Sequence, residues 1–172
     1  MGLVLMSILQ HHTVMGLDGL ALYAAIRVMI GTELNEVWNC PLRPLFCMAM
    51  AIFFEARDQP LAGQQAVSEV VMNRVESPRF PDTVCEVVFQ RKQYSFTHDG
   101  LSDDYTKHTG NVFDRQAIDI AETIAESTLK GDRLGMTSTH YHATYVTPYW
   151  ASAYHLDGRI GDHIFYTAPA GL

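Results

Sequence analysis

Several features that mark common classes of protein are scarce or missing in this sequence. It contains three cysteines among 172 residues, and no two of them have Cys-x-x-Cys spacing. An odd number without that spacing is untypical of a disulfide framework or a zinc ribbon. We therefore expect a reduced protein, and the alternative is one disulfide with one free thiol.

Basic residues and long apolar runs are also lacking. The chain has 12 Lys and Arg against 19 Asp and Glu, a formal net charge of −7, and no basic cluster. We therefore expect neither nucleic acid nor an anionic surface as a partner. No stretch reaches the ~18 consecutive apolar residues of a membrane span. Residues 1–10 lack the basic start and the cleavage site of a signal peptide, so no export signal is recognisable.

The motifs of several enzyme classes are absent. The sequence has no phosphate loop, dinucleotide fingerprint or calcium loop, and Ser95 lacks the Gly-x-Ser-x-Gly setting of a serine nucleophile. The composition, with 48% hydrophobic and 18% charged residues, is that of an ordinary globular protein. A chain of this length is sufficient for one domain with its own core.

The hydrophobic pattern predicts an α+β fold, with helices first and a small antiparallel sheet after them. Alternation predicts two paired strands, over residues 139–146 and 162–167. Residues 81–90 fit a short helix or a strand, and residues 93–97 are expected to be extended. We divide the chain into a helical extension, residues 1–40, and a main domain, residues 41–172. Apolar spacing of three to four positions predicts helices over residues 17–28, 44–57, 61–76 and 114–130.

Glu55 is the acidic residue with the most unusual position. It shares a helix face with Met48, Ala51 and Ile52 near the end of an apolar helix. Burial there disfavours the charged carboxylate and raises its pKa, which suits a general acid. The other interpretation is a helix end that faces solvent or pairs with Arg57.

Three histidines form a second candidate site. His140 and His142 alternate on one face of a predicted strand, and His163 lies on the predicted partner strand. Together they match the ligand set of a zinc site with an open position. Histidines that line a polar cleft, or that simply pack in the sheet, are the alternative.

Four sequence blocks stand out, namely residues 49–57 (AMAIFFEAR), 63–75 (GQQAVSEVVMNRV), 78–81 with 84–90 and 93–96, and 139–146 with Pro148, Trp150 and 161–166. In sequence and in order they resemble the SleB-like cell wall hydrolases, a family of spore-cortex-lytic enzymes and related bacterial and phage proteins. One difference from the family is that Asp58-Gln59-Pro60 replaces the usual Gly-Glu-Pro after the acidic residue.

The resemblance implies a lysozyme-like, mainly helical domain that acts on peptidoglycan glycan strands without a metal or cofactor. It assigns Glu55 as the general acid and base of a lytic transglycosylase, which cleaves between N-acetylmuramic acid and N-acetylglucosamine and leaves a 1,6-anhydro ring. One carboxylate suffices for this reaction, unlike the pair in most glycosidases. The side chains that we expect to line the substrate groove are Gln64, Ser95, Tyr141, His142 and Tyr145.

Three other functions are alternatives to a lytic transglycosylase. A muramidase would hydrolyse the same bond with a second carboxylate, such as Asp99, that activates water. Asp58 and Glu69 are the other candidates, and turn or solvent-facing positions explain each of the three. A zinc amidase would use the three histidines, and a wall-binding subunit would keep the fold without turnover. We expect cytoplasmic accumulation followed by release to the wall, or association with a phage virion. In either case residues 1–40 would dock on the domain or attach it to a larger assembly.

Overall fold

The computed structural model describes residues 43–91 and 93–169, and in them helices precede a small sheet. This order confirms the predicted α+β class. The helix predicted over residues 17–28, and the whole extension 1–40, lie outside the described residues. The helices are α1 (Arg43–Ala56), α2 (Leu61–Val75), α3 (Val84–Val88) and α4 (Val112–Leu129), and the strands are β1 (His140–Ala143), β2 (His155–Ile160) and β3 (His163–Thr167).

Helix α1 is the centre of the hydrophobic core. No charged residue occurs between Leu45 and Phe54, and every side chain from Cys47 to Phe53 is buried. A helix that is apolar on all sides needs neighbours on all sides, and α1 packs against α2, α3 and α4. The helix therefore delivers its one acidic residue, Glu55, from the core to the edge of the domain. None of the described helices is long and apolar enough to cross a membrane.

The sheet has the order β1–β3–β2, with both pairs antiparallel. The predicted pairing of the first and last strands is confirmed, and Tyr141 of β1 lies opposite Phe165 of β3. The edge strand β2 was not predicted. Its sequence is polar and mostly exposed, and a bulge between Leu156 and Gly158 breaks its alternation.

Two local predictions are decided by side-chain hydrogen bonds. Residues 81–90 contain helix α3, because Thr83 caps the N-terminus of this helix together with Glu86. Thr83 Oγ1 accepts a hydrogen bond from the Glu86 amide at 3.3 Å and donates one to Glu86 Oε2 at 2.7 Å. The extended conformation expected for residues 93–97 is wrong. A 3₁₀ turn occupies Phe96–His98, and Thr97 Oγ1 closes it by donating to the Tyr94 carbonyl at 2.9 Å.

The expectation of a reduced protein is also wrong. Cys47 of α1 and Cys85 of α3 form a disulfide with an S–S distance of 2.07 Å. The two residues are 38 positions apart, and the packing of α3 on α1 brings their Cα atoms to 5.2 Å. Local spacing carries no trace of such a pair, which is why the cysteine pattern did not reveal it. Cys40 lies outside the described residues.

Candidate active site

Glu55 lies in the last turn of α1, where the buried helix reaches the protein surface. Its side chain is only partly exposed, and Oε2 accepts a hydrogen bond from the Tyr141 hydroxyl at 3.3 Å. Burial raises the pKa of the Glu55 carboxyl, and the bond from Tyr141 lowers it by a smaller amount. Glu55 is thus an acid that keeps its proton to higher pH than an ordinary glutamate, as the sequence predicts.

Tyr141 projects from β1 towards the helices. Burial raises its pKa well above the usual value, and the neighbouring Tyr94 and Glu55 raise it further. The phenol therefore stays protonated and can only donate to Glu55. The alternation of the strand predicts this orientation, because it places Tyr141 on the face opposite His140 and His142.

A buried polar layer lies next to this pair. Tyr94 and Arg74 are 3% and 1% exposed, respectively. The Arg74 cation lowers the pKa of Tyr94, whereas Glu55 raises it, and burial dominates, so that the pKa is about 12. Both residues fall inside the sequence blocks of the resemblance, but no periodicity marks either of them as part of a site.

Helix α2 fixes the segment that leads into β1. Glu69 is buried, and its carboxylate accepts the backbone amides of Leu134, Gly135 and Met136 at 2.8, 2.8 and 2.9 Å. Asn73 Nδ2 donates to the carbonyls of residues 136 and 138, both at 2.9 Å. Because only two residues separate the end of this segment, Ser138, from Tyr141, the helix positions the tyrosine relative to Glu55.

The turn after Glu55 is tied to the hairpin between β2 and β3. Gln59 Oε1 accepts the Asp162 amide at 2.8 Å. Gly161 has a φ of +60°, and a Cβ atom there would lie 2.5 Å from the same Gln59 oxygen. Only glycine fits this position without movement. The Gln59 that differs from the family pattern therefore joins the two loops beside the acid.

Two predicted groove residues lie on the segments that flank the acid. Gln64 is 4% exposed, and its Nε2 donates to the Gln59 carbonyl at 3.0 Å, so it braces the turn between α1 and α2. Ser95 is exposed and begins the turn at Phe96–His98. No observation tests contact with substrate at either residue, and both assignments stay predictions.

Of the three remaining predicted groove residues, Tyr141 contacts Glu55 as described above, and His142 and Tyr145 lie at the outer end of β1. His142 Nδ1 faces the carbonyl of Ala143 at 2.9 Å, and Nε2 lies 3.1 Å from the Tyr166 hydroxyl. Since a carbonyl can only accept, Nδ1 carries a proton, and Nε2 of a neutral ring accepts from Tyr166. Tyr145 is 88% exposed just beyond the strand. Their contact with substrate also stays a prediction.

The three-histidine zinc site is wrong in its geometry. His163 lies on the face of the sheet that carries Tyr141, with ring centres 4.9 Å apart, and it is buried. His140 and His142 lie on the opposite face, where each contacts Trp150. The sheet thus separates the third histidine from the other two. Within residues 43–91 and 93–169, no group of three metal-ligating side chains is arranged to hold a metal ion.

The candidate second carboxylates have local roles. Asp99 is exposed and caps its own turn by accepting the Leu101 amide at 2.8 Å. Asp58 is exposed and accepts from Gln59 Nε2 at 3.2 Å. Glu69, for which we expected a turn or solvent-facing position, is instead buried in the α2 contact described above. Among these four carboxyl groups, Glu55 is the one that combines partial burial with a tyrosine donor. Glu122 of α4 has a similar combination inside the core, where it is 6% exposed and accepts from the Tyr105 hydroxyl at 3.0 Å.

Comparison with known proteins links this fold to enzymes of the bacterial cell wall. The family model described as Cell Wall Hydrolase matches residues 58–166, a range that begins just after Glu55. A spore cortex-lytic enzyme of Halalkalibacterium halodurans is 33% identical over 122 residues, which are 69% of this chain and 33% of that protein. The spore cortex-lytic enzyme of Bacillus subtilis is 40% identical over 53 residues, 31% of this chain and 17% of that protein. The chain thus spans a third or less of these relatives.

Two solved structures share the fold over most of the described residues. One is the catalytic domain of the germination-specific lytic transglycosylase SleB from Bacillus anthracis, with a TM-score of 0.61 and 28% identity, and the match covers 75% of this chain and 98% of that one. The other is the catalytic domain of the Bacillus cereus SleB protein, with a TM-score of 0.56 and 28% identity over 79% and 99% of the two chains.

Proposed function

This chain belongs to the family of cell wall hydrolases, and from that premise we propose that it is a peptidoglycan lytic transglycosylase with Glu55 as its acid and base. The observation that carries the proposal is the partly buried Glu55 carboxyl, whose pKa is raised by burial and whose Oε2 accepts a hydrogen bond from Tyr141. The similarity to the SleB catalytic domain, named a lytic transglycosylase, supports the reaction class.

The reaction begins with proton transfer from Glu55. In the neutral acid, the oxygen that accepts from Tyr141 is Oε2, so the acidic proton resides on Oε1. This proton goes to the oxygen between N-acetylmuramic acid and N-acetylglucosamine as the bond from that oxygen to the muramic C1 breaks. The N-acetylglucosamine side leaves with a new hydroxyl group, and positive charge develops at C1.

The second step returns the proton to Glu55. The carboxylate takes the proton of the muramic C6 hydroxyl as O6 bonds to C1, which closes the 1,6-anhydro ring. No water is consumed, and the enzyme regains its starting form. During this step the negative charge of Glu55 is stabilised by the hydrogen bond from Tyr141, because a charged acceptor strengthens that bond. One acidic side chain therefore serves both steps.

Mass spectrometry of the fragments released from purified peptidoglycan tests this function. Wild type should release fragments with anhydromuramic ends, and Glu55→Gln should release none, because the amide keeps the shape but cannot transfer the proton. Glu126→Gln is the matched control, since that glutamate forms a surface ion pair with Lys130 at 2.6 Å. It should release the same products as wild type.

Each other product would point to a different function. Ordinary reducing ends would indicate a muramidase, and Asp99→Asn would then be the next variant. Free stem peptides would indicate an amidase and would contradict the role of Glu55. No product at all, with wall binding retained, would support the non-catalytic subunit.

The place of action is part of the proposal. The substrate lies outside the cytoplasmic membrane, and the disulfide between Cys47 and Cys85 is of a kind that persists in oxidising environments. Both points support activity outside the cytoplasm. The relatives named above are bacterial, so a phage origin, a lysin role and the docking of residues 1–40 to a virion stay predictions. Cytoplasmic accumulation before release also stays a prediction.

A further inference from the structure

Arg74 is a buried cation whose role the reaction described above leaves unexplained. It is 1% exposed, its Nε donates to the Thr139 carbonyl at 2.6 Å, and its guanidinium lies 5.3 Å from the Phe80 ring centre. Nη1 is buried and has no hydrogen-bond partner. Within the described residues no carboxylate forms an ion pair with Arg74, and the buried Glu69 of the same helix lies 3.6 Å from Arg133 instead. Buried charges are normally paired, so an arginine kept without a carboxylate calls for another explanation.

The position of Arg74 relates it to the candidate acid through Tyr141. Thr139, which it holds, lies two residues before Tyr141, and residues two apart in an extended segment share a face. The positive charge also lowers the pKa of Tyr141 against the effect of burial. Arg74 therefore anchors the backbone two residues before Tyr141, and its charge acts on the phenol that donates to Glu55 Oε2.

The proposed reaction has a moment at which this polarisation matters. Once Glu55 has given up its proton, a carboxylate lies in a largely buried place, where an ionised group is costly. The hydrogen bond from Tyr141 offsets that cost, and a cation that favours the ionised phenol makes the hydroxyl a stronger donor. We propose that Arg74 is a positioning residue that acts through the Tyr141 hydroxyl to stabilise the carboxylate form of Glu55.

Two substitutions separate the charge of Arg74 from its contact with Thr139. Nε2 of a glutamine occupies the same place along the side chain as Nε of an arginine, so Arg74→Gln keeps the donor to Thr139 and removes the charge. Arg74→Lys keeps the charge and loses that donor. Arg74→Met is a second neutral variant of similar length, for use if the glutamine variant does not fold.

The direct measurement is the titration of Glu55 by carboxyl-carbon NMR, with the signal assigned by its loss in Glu55→Gln. We expect Arg74→Gln to raise the pKa of Glu55 by roughly 0.5–1 unit, less than the 1–3 units of a direct contact because the charge acts across the phenol. Arg74→Lys should leave it close to wild type. In a Tyr141→Phe background, Arg74→Gln should add no further shift.

Activity gives a second readout. Because the free enzyme must be protonated at Glu55, kcat/KM falls as pH rises through that pKa, and Arg74→Gln should move this limb to higher pH. A purely structural role predicts the reverse order: a normal glutamine variant, an impaired lysine variant and no movement of the limb. That result, or a shift that persists in the Tyr141→Phe background, would overturn the proposal.

The effect of Arg74 on rate rests on the proposed function, but the NMR titration does not. If wild type cleaves no glycan, the proposed function fails, and the titration still decides whether Arg74 stabilises the Glu55 carboxylate. If wild type is active and Arg74→Gln leaves the pKa of Glu55 unchanged, this proposal alone is refuted.

Discussion

Reduction of the disulfide between Cys47 and Cys85 should destabilise the domain strongly. The bond joins α1, which carries Glu55, to α3, and both sulfur-bearing residues are buried in the main core. Reduction leaves the core packing in place, and its main effect falls on the unfolded chain. That chain gains the conformations that the crosslink excludes.

The size of the effect follows from the length of the closed loop. For a separation of 38 residues, the chain-entropy relation gives a loss of about 13 cal/mol/K, or about 4 kcal/mol at 25 °C. Measured effects often fall below this value, so we expect a loss of about 3–4 kcal/mol. In a domain of this size that corresponds to a fall in Tm of about 10–15 °C.

Urea and thermal unfolding with and without a phosphine reductant measure this loss. The double variant Cys47→Ala/Cys85→Ala should unfold at the same urea concentration in both conditions. The matched control is Cys40→Ala, which removes the remaining cysteine and should retain the full response to reductant. Alkylation of the denatured, unreduced protein gives an independent count of thiols.

Two outcomes would refute the reasoning. One is alkylation of Cys47 and Cys85 without prior reduction, which would show that the pair does not form. The other is a bond that forms but whose reduction changes the free energy of unfolding by less than about 1 kcal/mol, well below the expected range. In that case residual structure would already restrict the unfolded chain without the crosslink. Alternatively, the crosslink would strain the native packing by an offsetting amount.

Two further predictions concern buried carboxylates. Because the pKa of Glu55 is raised, the folded protein holds the carboxyl proton more tightly than the unfolded chain, in which the pKa is near 4.5. The free energy of unfolding of wild type therefore falls as pH rises from 4.5 through the pKa of the folded state. Glu55→Gln lacks this loss, so its Tm minus that of wild type should increase from pH 4 to pH 8. A Tm difference that stays constant over this range would contradict the raised pKa of Glu55. Glu69→Gln places an amide group against backbone donors and should lower the free energy of urea unfolding by about 2–3 kcal/mol; a change below about 0.5 kcal/mol would show that the contact to residues 134–136 is not important for stability.

The helices were predictable because burial leaves a periodic trace in the sequence. The predicted ranges 44–57, 61–76 and 114–130 differ from α1, α2 and α4 by at most two residues at each end. β2 left no such trace, because one edge of the sheet and the solvent impose little pattern on its side chains. The disulfide was missed because it depends on the packing of two helices rather than on any local spacing.

The candidate acid was predictable for the same reason, but its surroundings were not. Glu55 interrupts an apolar helix face, and that interruption can be read from the sequence alone. Tyr141 could be placed on one face of a strand, yet its contact with Glu55 spans 86 residues and depends on how the strand is set against the helix. The zinc alternative failed at the same step, because strand register and not spacing decides which histidines share a face.

The 3.3 Å bond between Tyr141 and Glu55 depends on two separate anchors. The disulfide fixes α1 through Cys47, and α2 fixes the approach to β1 through Glu69, Asn73 and Arg74. A hydrogen bond already at the long end of its range is lost by a further displacement of about 0.5 Å. Loosening the α2 anchor should therefore disturb the pKa of Glu55 before it unfolds the domain, whereas reduction of the disulfide acts mainly on the unfolded chain. For this reason residues far from the substrate should change the pH dependence of the reaction as well as the stability of the fold.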